Sequence, residues 1–373
     1  MPKTMIDLFA GCGGLSMGLE HAGFKAMFAN EINPICASTY KLNIDIDENN
    51  VFICDIDDLL KDIEIHNRAF GEIDLVSGGP PCQGFSMANR QRIIDDPRNV
   101  LYKSYLKFLK IVTPKFFIME NVKGMANKIE EIFDDFHQML GDEYTMSYRV
   151  LNAKNYGVPQ NRERLFVIGN RIGVDSDDIF KNIENEQYCS YVLKDAIIDL
   201  PPLGIKKFKN SSSIENDEIG YTERLYDYSG SDFYEYINNG RRVTSVYNHK
   251  NRYNNERDIA IYTRLPQGAN SLHESIADIM PYKSRNHIFK DKYFKLRMDD
   301  ICKTITSHMK FDCNMYIHPT QPRGLSAREA ARVQTFPDDF VFTGPQNSWY
   351  LQIGNAVPVK LAKVLGEEII KWL

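Results

Sequence analysis

The amino-acid sequence predicts an α/β protein built on a doubly wound, mainly parallel sheet, with a smaller domain inserted into it. Three observations predict this. Over the first 170 residues, short apolar runs alternate with helix-like patterns. From about residue 185 to about 320 that rhythm is lost, and near residue 323 helical order returns. Strand–helix alternation implies parallel strands with helices on both faces, and an interruption followed by a return implies an insertion. The expected division is residues 1–184 with 323–373 in one domain and 185–322 in the other.

The expected strands are "MIDLF" (5–9), "AMFAN" (26–30), "VFICD" (51–55), "IDLVSGG" (73–79), "FFIMENV" (116–122) and "RLFVIGN" (164–170). Helices are expected near 15–22, 34–43, 99–112 and 127–140. In such sheets, ligands bind beyond the carboxyl ends of the strands. The chemically unusual residues fall there: Gly11 to Gly14, Glu31, Asp55, Pro80 to Cys82, and Glu120 with Asn121.

The stretch "DLPPLGIKKFKNSSSIENDEIGY" (199–221) is rich in Pro, Gly, Ser and charge and reads as an irregular connection into the second domain. Further on, "LSAREAARVQTF" (325–336) reads as a helix with Ser326 as N-cap and Glu329 completing a capping box. The last stretch, "VPVKLAKVLGEEIIKWL" (357–373), is amphipathic, and Pro358 suits a first turn. Both helices are expected to pack on the first domain.

Composition sets the class. Hydrophobic residues are 43% and charged residues 25%, an ordinary globular balance. No apolar run approaches the ~20 residues of a membrane span, and "MPKTMIDLFAGCGG" carries no basic-then-apolar leader. A cytoplasmic protein is expected. The seven cysteines are odd in number and show no C-x-x-C spacing, which argues against a disulfide framework or a structural zinc site. Net charge is −5, yet residues 241–257 hold five basic residues and one acidic, and residues 283–297 hold six and one. Two such clusters interleaved with aromatic and amide side chains point to a nucleic-acid surface, with Arg241, Arg242, Lys292 and Lys295 as candidate contacts.

"DLFAGCGGLSMGLEHAGF" (7–24) reads as strand, Gly-rich turn and helix. A G-x-G-x-x-G phosphate cradle would need glycine at Ser16, so the loop is not a dinucleotide fingerprint. Glu31 ends the second strand, where an acid accepts from ribose hydroxyls, and Asp55 ends the third, within reach of an adenine amino group. A nucleoside without a phosphate chain suits these parts, and S-adenosylmethionine is the common one. Cys82 follows Pro80 and Pro81 at a strand tip in "GGPPCQGFS", an exposed and stiffened setting that a core cysteine does not need. Glu120 ends the neighbouring strand, about 5 Å away, and Arg162 and Arg164 precede another.

"DLFAGCGG", "GGPPCQGFS", "MENV", "QNRERLFVIG" and "LQIGNAVPVKLA" together resemble the ordered motifs of the DNA cytosine-5 methyltransferases. The resemblance implies a class I S-adenosylmethionine-dependent methyltransferase domain, an inserted target-recognition domain, and double-stranded DNA as substrate. It implies that Cys82 is the nucleophile attacking carbon 6 of a flipped-out cytosine, that Glu120 acts at ring nitrogen 3, and that Arg164 supports the carbonyl oxygen with Arg162 near the thiol. Phe9, Gly11, Gly13, Glu31, Ile32, Asp55, Ile56, Pro80, Leu101 and Asn355 would hold the cofactor. Gln83, Ser86 and Arg98 would lie in a loop closing over DNA. A monomer associated with the nucleoid is expected, with a cognate restriction endonuclease as a separately acting partner.

Two other classes fit less well. A zinc cytidine deaminase needs H-x-E and P-C-x-x-C; none of the eight histidines has Glu two residues on, and Phe85 stands where the second cysteine would be. A non-catalytic DNA-binding homologue would not need Cys82, Glu120 and Arg164 together. A tRNA methyltransferase of the same family keeps the chemistry and changes the polymer.

Overall fold

The computed structural model describes residues 2–66, 69–81, 101–209, 214–225, 230–281 and 291–373. They form two compact units. The first comprises Met1–Tyr156, Arg162–Cys189 and Val357–Leu373; the second comprises Gly157–Asn161 and Ser190–Ala356.

The first unit begins with β1 (Lys3–Leu8), α1 (Gly14–Ala22), β2 (Phe24–Asn30), α2 (Pro34–Asn43), β3 (Val51–Phe52), α3 (Ile56–His66) and β4 (Leu75–Gly78). It continues with α4 (Leu101–Val112), β5 (Phe116–Val122), α5 (Ile129–Leu140) and β6 (Thr145–Asn152). β7 (Gln160–Asn161) belongs to the second unit, and the chain then returns through β8 (Glu163–Asn170) and α6 (Ser176–Asn185). The sheet order is β3-β2-β1-β4-β5-β8-β6. β1 to β5 pair in parallel, and β8 runs antiparallel to both its neighbours. This is the expected mainly parallel, doubly wound sheet. Its core gathers Ile6, Val76, Phe108, Phe117, Met119 and Val167, with Ile56, Leu59, Leu60 and Ile63 of α3.

Three elements escape a reading by short apolar runs. α3 spaces its buried side chains at i, i+3, i+4 and i+7 within an acidic sequence. β6 is an edge strand, half exposed, and carries no apolar run. α6 is polar and starts from an Asp175 cap. β3 is shorter than expected because the Asn30 amide takes the carbonyls of Phe52 (3.2 Å) and Cys54 (3.0 Å), which turns the chain toward α3.

The second unit contains α7 (Leu193–Ile197), β9 (Glu223–Leu225), α8 (Asp232–Ile237), β10 (Ser245–Tyr247), α9 (Glu256–Arg264), β11 (Cys302–Lys303), α10 (Ala327–Val333) and α11 (Gln346–Asn355). The boundary expected at 322/323 lies instead at 356/357. Buried charge explains it. Arg323 forks onto Glu329 at 2.7 Å through two nitrogens, and Arg332 holds Asp338 at 2.8 Å and also pairs with Asp199. Arg328 donates to the carbonyls of Tyr247 and Pro337. Removing one partner of such a buried pair costs about 3–5 kcal/mol, so α10 is committed to the second unit. Only α12 (Val359–Ile370) returns to the first, where it packs on α1 and α6. The expected capping box forms: Ser326 Oγ accepts from the Glu329 amide, and Glu329 accepts from the Ser326 amide at 2.7 Å.

Two histidines brace this network. His249 Nε2 donates to the Pro201 carbonyl at 2.7 Å, and Nδ1 accepts from Ser326 Oγ at 2.9 Å. His318 Nδ1 accepts the amides of Thr320 and Gln321. Burial pushes both down, to about 4 and about 3, although Glu329 opposes this. Both are therefore neutral in the fold, while an unfolded histidine titrates at 6.5. Below that pH the unfolded chain takes up protons that the fold refuses, so stability is complete above pH 6.5 and falls as pH drops toward 4. The full loss is about 3 kcal/mol for His249 and about 5 kcal/mol for His318, and only part of it is reached at pH 5. Thermal unfolding at pH 7.5 and 5.0 checks this; an unchanged midpoint would show that the imidazoles charge without cost.

Candidate active site

β1 is flanked by β2 on one side and β4 on the other. The chain winds outward in opposite directions from that pair, so the crevice opens beyond the tips of β1 and β4. The Gly-rich loop leaves β1 there. Phe9 (φ 56°), Gly11 (56°) and Gly13 (95°) are left-handed. The Ala10 amide donates to the Asn30 carbonyl at 3.0 Å, tying the loop to β2. Glu31 at the tip of β2 fixes the other side: one carboxylate oxygen accepts the Gly11 amide at 2.8 Å, the other the Asn33 amide at 2.7 Å. Burial still raises the Glu31 pKa against these hydrogen bonds.

The two expected loop glycines differ. A Cβ on Gly11 would meet nothing within 4 Å, so this residue borders open space. A Cβ on Gly13 would lie 3.1 Å from Ile44 and Tyr40, so Gly13 serves packing on α2. Ile32 is 63% exposed and Ile53, which the sequence reading missed, is 45% exposed. Both are apolar side chains left open next to strand ends. Asp55 accepts the Asp57 amide at 2.9 Å at the start of α3. The Ile56 side chain is in the core, which leaves only its backbone for a ligand, and Phe9 and Leu101 border the same core. Asn355 is exposed at the end of α11 and belongs to the second unit.

Beneath the loop lies a polar cluster that the sequence reading also missed. Asp7, in the middle of β1, accepts from Ser16 at 2.5 Å and Ser77 at 2.9 Å, and Ser16 shares a 2.8 Å bond with Tyr40. It joins β1, α1, β4 and α2 at one point. Burial pushes Asp7 up to about 7. The available signal was an acid inside the apolar run "MIDLF".

The second group forms at the tips of β4 and β5. Glu120 Oε1 meets Arg164 Nε at 3.0 Å, and both side chains are mostly buried, at 13% and 17% exposure. Arg164 also donates to the Glu163 carbonyl at 2.8 Å. Arg162 is fully buried and adds a second positive charge near Glu120. Burial nevertheless raises Glu120, against the attraction of both arginines, and lowers Arg164. A guanidinium does not deprotonate in proteins, so the adjustment falls on the carboxyl. Asn121 donates to the Pro80 carbonyl at 2.8 Å, and the Tyr105 hydroxyl reaches the carbonyls of Val76 and Ile118. These two contacts hold together the strands that lead to Pro81 and carry Glu120. Cys82, Gln83, Ser86 and Arg98 lie outside the described residues.

In the second unit the expected basic surface thins out. Lys295 is not at the surface: it is buried, its ammonium donates to the Tyr262 carbonyl at 2.9 Å, and burial lowers its pKa. An ammonium on a carbonyl inside a small core supports structure and cannot also meet a phosphate. Lys250 is likewise buried. Arg241 is exposed but holds Asp339 at 2.9 Å. Arg242 is exposed and Lys292 half-buried.

Among the described residues, no helix is long and apolar enough to cross a membrane. Residues 3–371 match the family model of the C-5 cytosine-specific DNA methylases. The chain is 31% identical over 377 residues to the type II methyltransferase M1.HphI of Haemophilus parahaemolyticus, covering 100% of this chain and 87% of that one. It is 33% identical to M.DdeI of Desulfomicrobium norvegicum, covering 98% and 88%. Among solved structures, a DNA modification methyltransferase encoded within a prophage of E. coli superposes with a TM-score of 0.74 at 25% identity, over 99% of each chain. The S. pombe Dnmt2 methyltransferase shares the fold, with a TM-score of 0.57 at 16% identity. The match takes in the sheet, the site at its tips and the inserted unit alike, and the chain belongs to the C-5 cytosine-specific DNA methylases.

Proposed function

We propose that this enzyme is the modification methyltransferase of a restriction–modification system, acting as a monomer on a defined double-stranded sequence, with S-adenosylmethionine as methyl donor and Cys82 as nucleophile. The observation that carries the reading is the buried Glu120–Arg164 pair beside Gly79 to Pro81, the segment that leads directly to Cys82. A cognate endonuclease would act as a separate protein on the same sequence.

The residues present fit the cofactor. Gly11 borders open space, Glu31 keeps lone pairs on both oxygens for ribose hydroxyls, and Ile32 and Ile53 offer apolar faces for a base. Asp55 and the Ile56 backbone stand near the adenine edge in this reading, with Phe9, Pro80 and Leu101 completing the pocket. S-adenosylmethionine supplies a methyl group on a sulfonium, an electrophile that carbon 5 of neutral cytosine attacks poorly.

The chain's own residues remove that obstacle. The Cys82 thiolate forms a bond to carbon 6, and the displaced electron pair makes carbon 5 nucleophilic. Glu120, whose carboxyl burial shifts toward the acid form against the pull of both arginines, donates at ring nitrogen 3 as charge develops. Arg164, on a rigid strand, faces the charge at the carbonyl oxygen. After methyl transfer a base takes the proton from carbon 5, the carbon–sulfur bond breaks, nitrogen 3 gives its proton back to Glu120, and the thiolate returns.

The test is to incubate the enzyme with S-adenosylmethionine and mixed-sequence duplex DNA, then map methylated cytosines by bisulfite sequencing. One recurrent sequence is expected. Methylation of tRNA alone would select the other polymer and overturn the reading. Gly79→Ala gives a second check. Its Cβ would lie 3.2 Å from the Glu120 carboxylate and displace it, so the rate should fall roughly tenfold or more while cofactor affinity holds. An unchanged single-turnover rate would show that the Glu120 position is not critical.

A further inference from the structure

We propose that Phe311, presented by the turn Ser307–Lys310, is a base-contacting residue of the second unit, and that Lys310 beside it contacts the phosphate backbone of the same duplex. The proposal rests on the DNA-modifying function above and names the element that meets the polymer.

Phe311 is 68% exposed, although Met309 two residues earlier is fully buried and Cys313 two residues later is 3% exposed. Leaving a phenylalanine in water forgoes about 1.5–3 kcal/mol of burial. A loose turn would fold that ring inward, but this turn is pinned. Arg252 donates to three successive carbonyls: Met309, then Lys310 at 3.1 Å and Phe311 at 3.1 Å. The same guanidinium reaches Asn347 at 3.0 Å and lies 5.1 Å from the centre of the Tyr350 ring. On the other side the backbone of Thr306 and Ser307 is pressed against α11. A Cβ on Gly354 would fall 2.2 Å from the Ser307 nitrogen, so only glycine permits the approach. The result is a rigid seat for an exposed aromatic ring.

The surroundings of the ring fit nucleic acid. The Lys310 ammonium lies 4.8 Å from the Phe311 ring centre, and the exposed His308 ring lies 6.3 Å from it. The neighbouring Asp312 is exposed and accepts the Asn314 amide at 3.0 Å through one oxygen. An apolar ring beside a cation matches the two parts of a DNA groove: thymine methyls or an opened base step for the ring, and phosphate for the ammonium. Two of the basic residues first expected to face DNA, Arg241 and Lys295, are engaged within the unit, which makes this turn the better-founded contact.

The experiment uses two duplexes: one carrying the sequence found by methylation mapping, one with that sequence scrambled. For F311A, kcat/KM on the mapped duplex should fall roughly tenfold or more, with cofactor affinity and thermal midpoint unchanged. For K310A, affinity for both duplexes should fall by the same factor, and the dependence of binding on salt should become shallower. Wild-type kcat/KM in F311A would overturn the proposal, and so would a lowered thermal midpoint, which would make the ring a packing residue. Failure of the wild-type enzyme to methylate any duplex would overturn the underlying function instead, and it would be seen before either variant is made.

Discussion

Cys82→Ala is expected to abolish methyl transfer while S-adenosylmethionine still binds with wild-type affinity. Carbon 5 of cytosine gains its nucleophilicity only when a sulfur bonds to carbon 6, and a methyl side chain cannot form that bond. The groups proposed for the cofactor, the Gly11 loop and Glu31, follow β1 and β2 and owe their geometry to backbone amides rather than to the thiol. A substrate with fluorine at carbon 5 of the target cytosine gives the positive form of the test. Thiol addition and methyl transfer proceed, since neither removes a substituent from carbon 5. The next step needs a proton to leave, and fluorine cannot leave as a cation. The enzyme should therefore stay bonded to the DNA, survive a denaturing gel, and do so only with S-adenosylmethionine present. Methylation without any trapped adduct on this substrate would rule out thiol addition.

Glu120→Gln is expected to slow the chemical step by roughly 10²–10⁴, the range for a lost acid–base group. The amide keeps the shape but cannot deliver a proton at nitrogen 3. The pH profile separates this from a structural effect. Burial raises the Glu120 pKa, so the required acid form persists to a higher pH than in water, and the wild-type rate should fall on the alkaline side as the carboxyl ionises. That limb should vanish in the variant. The change also leaves Arg164 and the fully buried Arg162 without the carboxylate that offsets them. A buried charge that loses its partner is costly, so the thermal midpoint should fall as well. A variant with a wild-type single-turnover rate would reduce Glu120 to a support for Arg164.

Short-range pattern determined much of this protein. Short apolar runs located β1, β2, β4, β5 and β8, because a strand buried on both faces must be apolar along its length. The rule that ligands gather at parallel strand tips singles out Gly11, Glu31, Asp55 and Glu120 from the sequence. The capping box at Ser326 and Glu329 was legible because both partners lie within one helical turn.

What the tertiary structure decided was the fate of charge. A lysine in sequence reads as solvated, yet Lys295 lies in a small core on the Tyr262 carbonyl and Arg252 clamps three carbonyls of a distant turn. Asp7 lies inside the apolar run "MIDLF" and joins four elements. Arg323, Arg328 and Arg332 drew α10 into the second unit and moved the boundary to 356/357. Local pattern reports which side chains prefer to leave water. Whether a charged group can leave it too depends on partners tens or hundreds of residues away, and only the folded chain brings them within hydrogen-bonding distance.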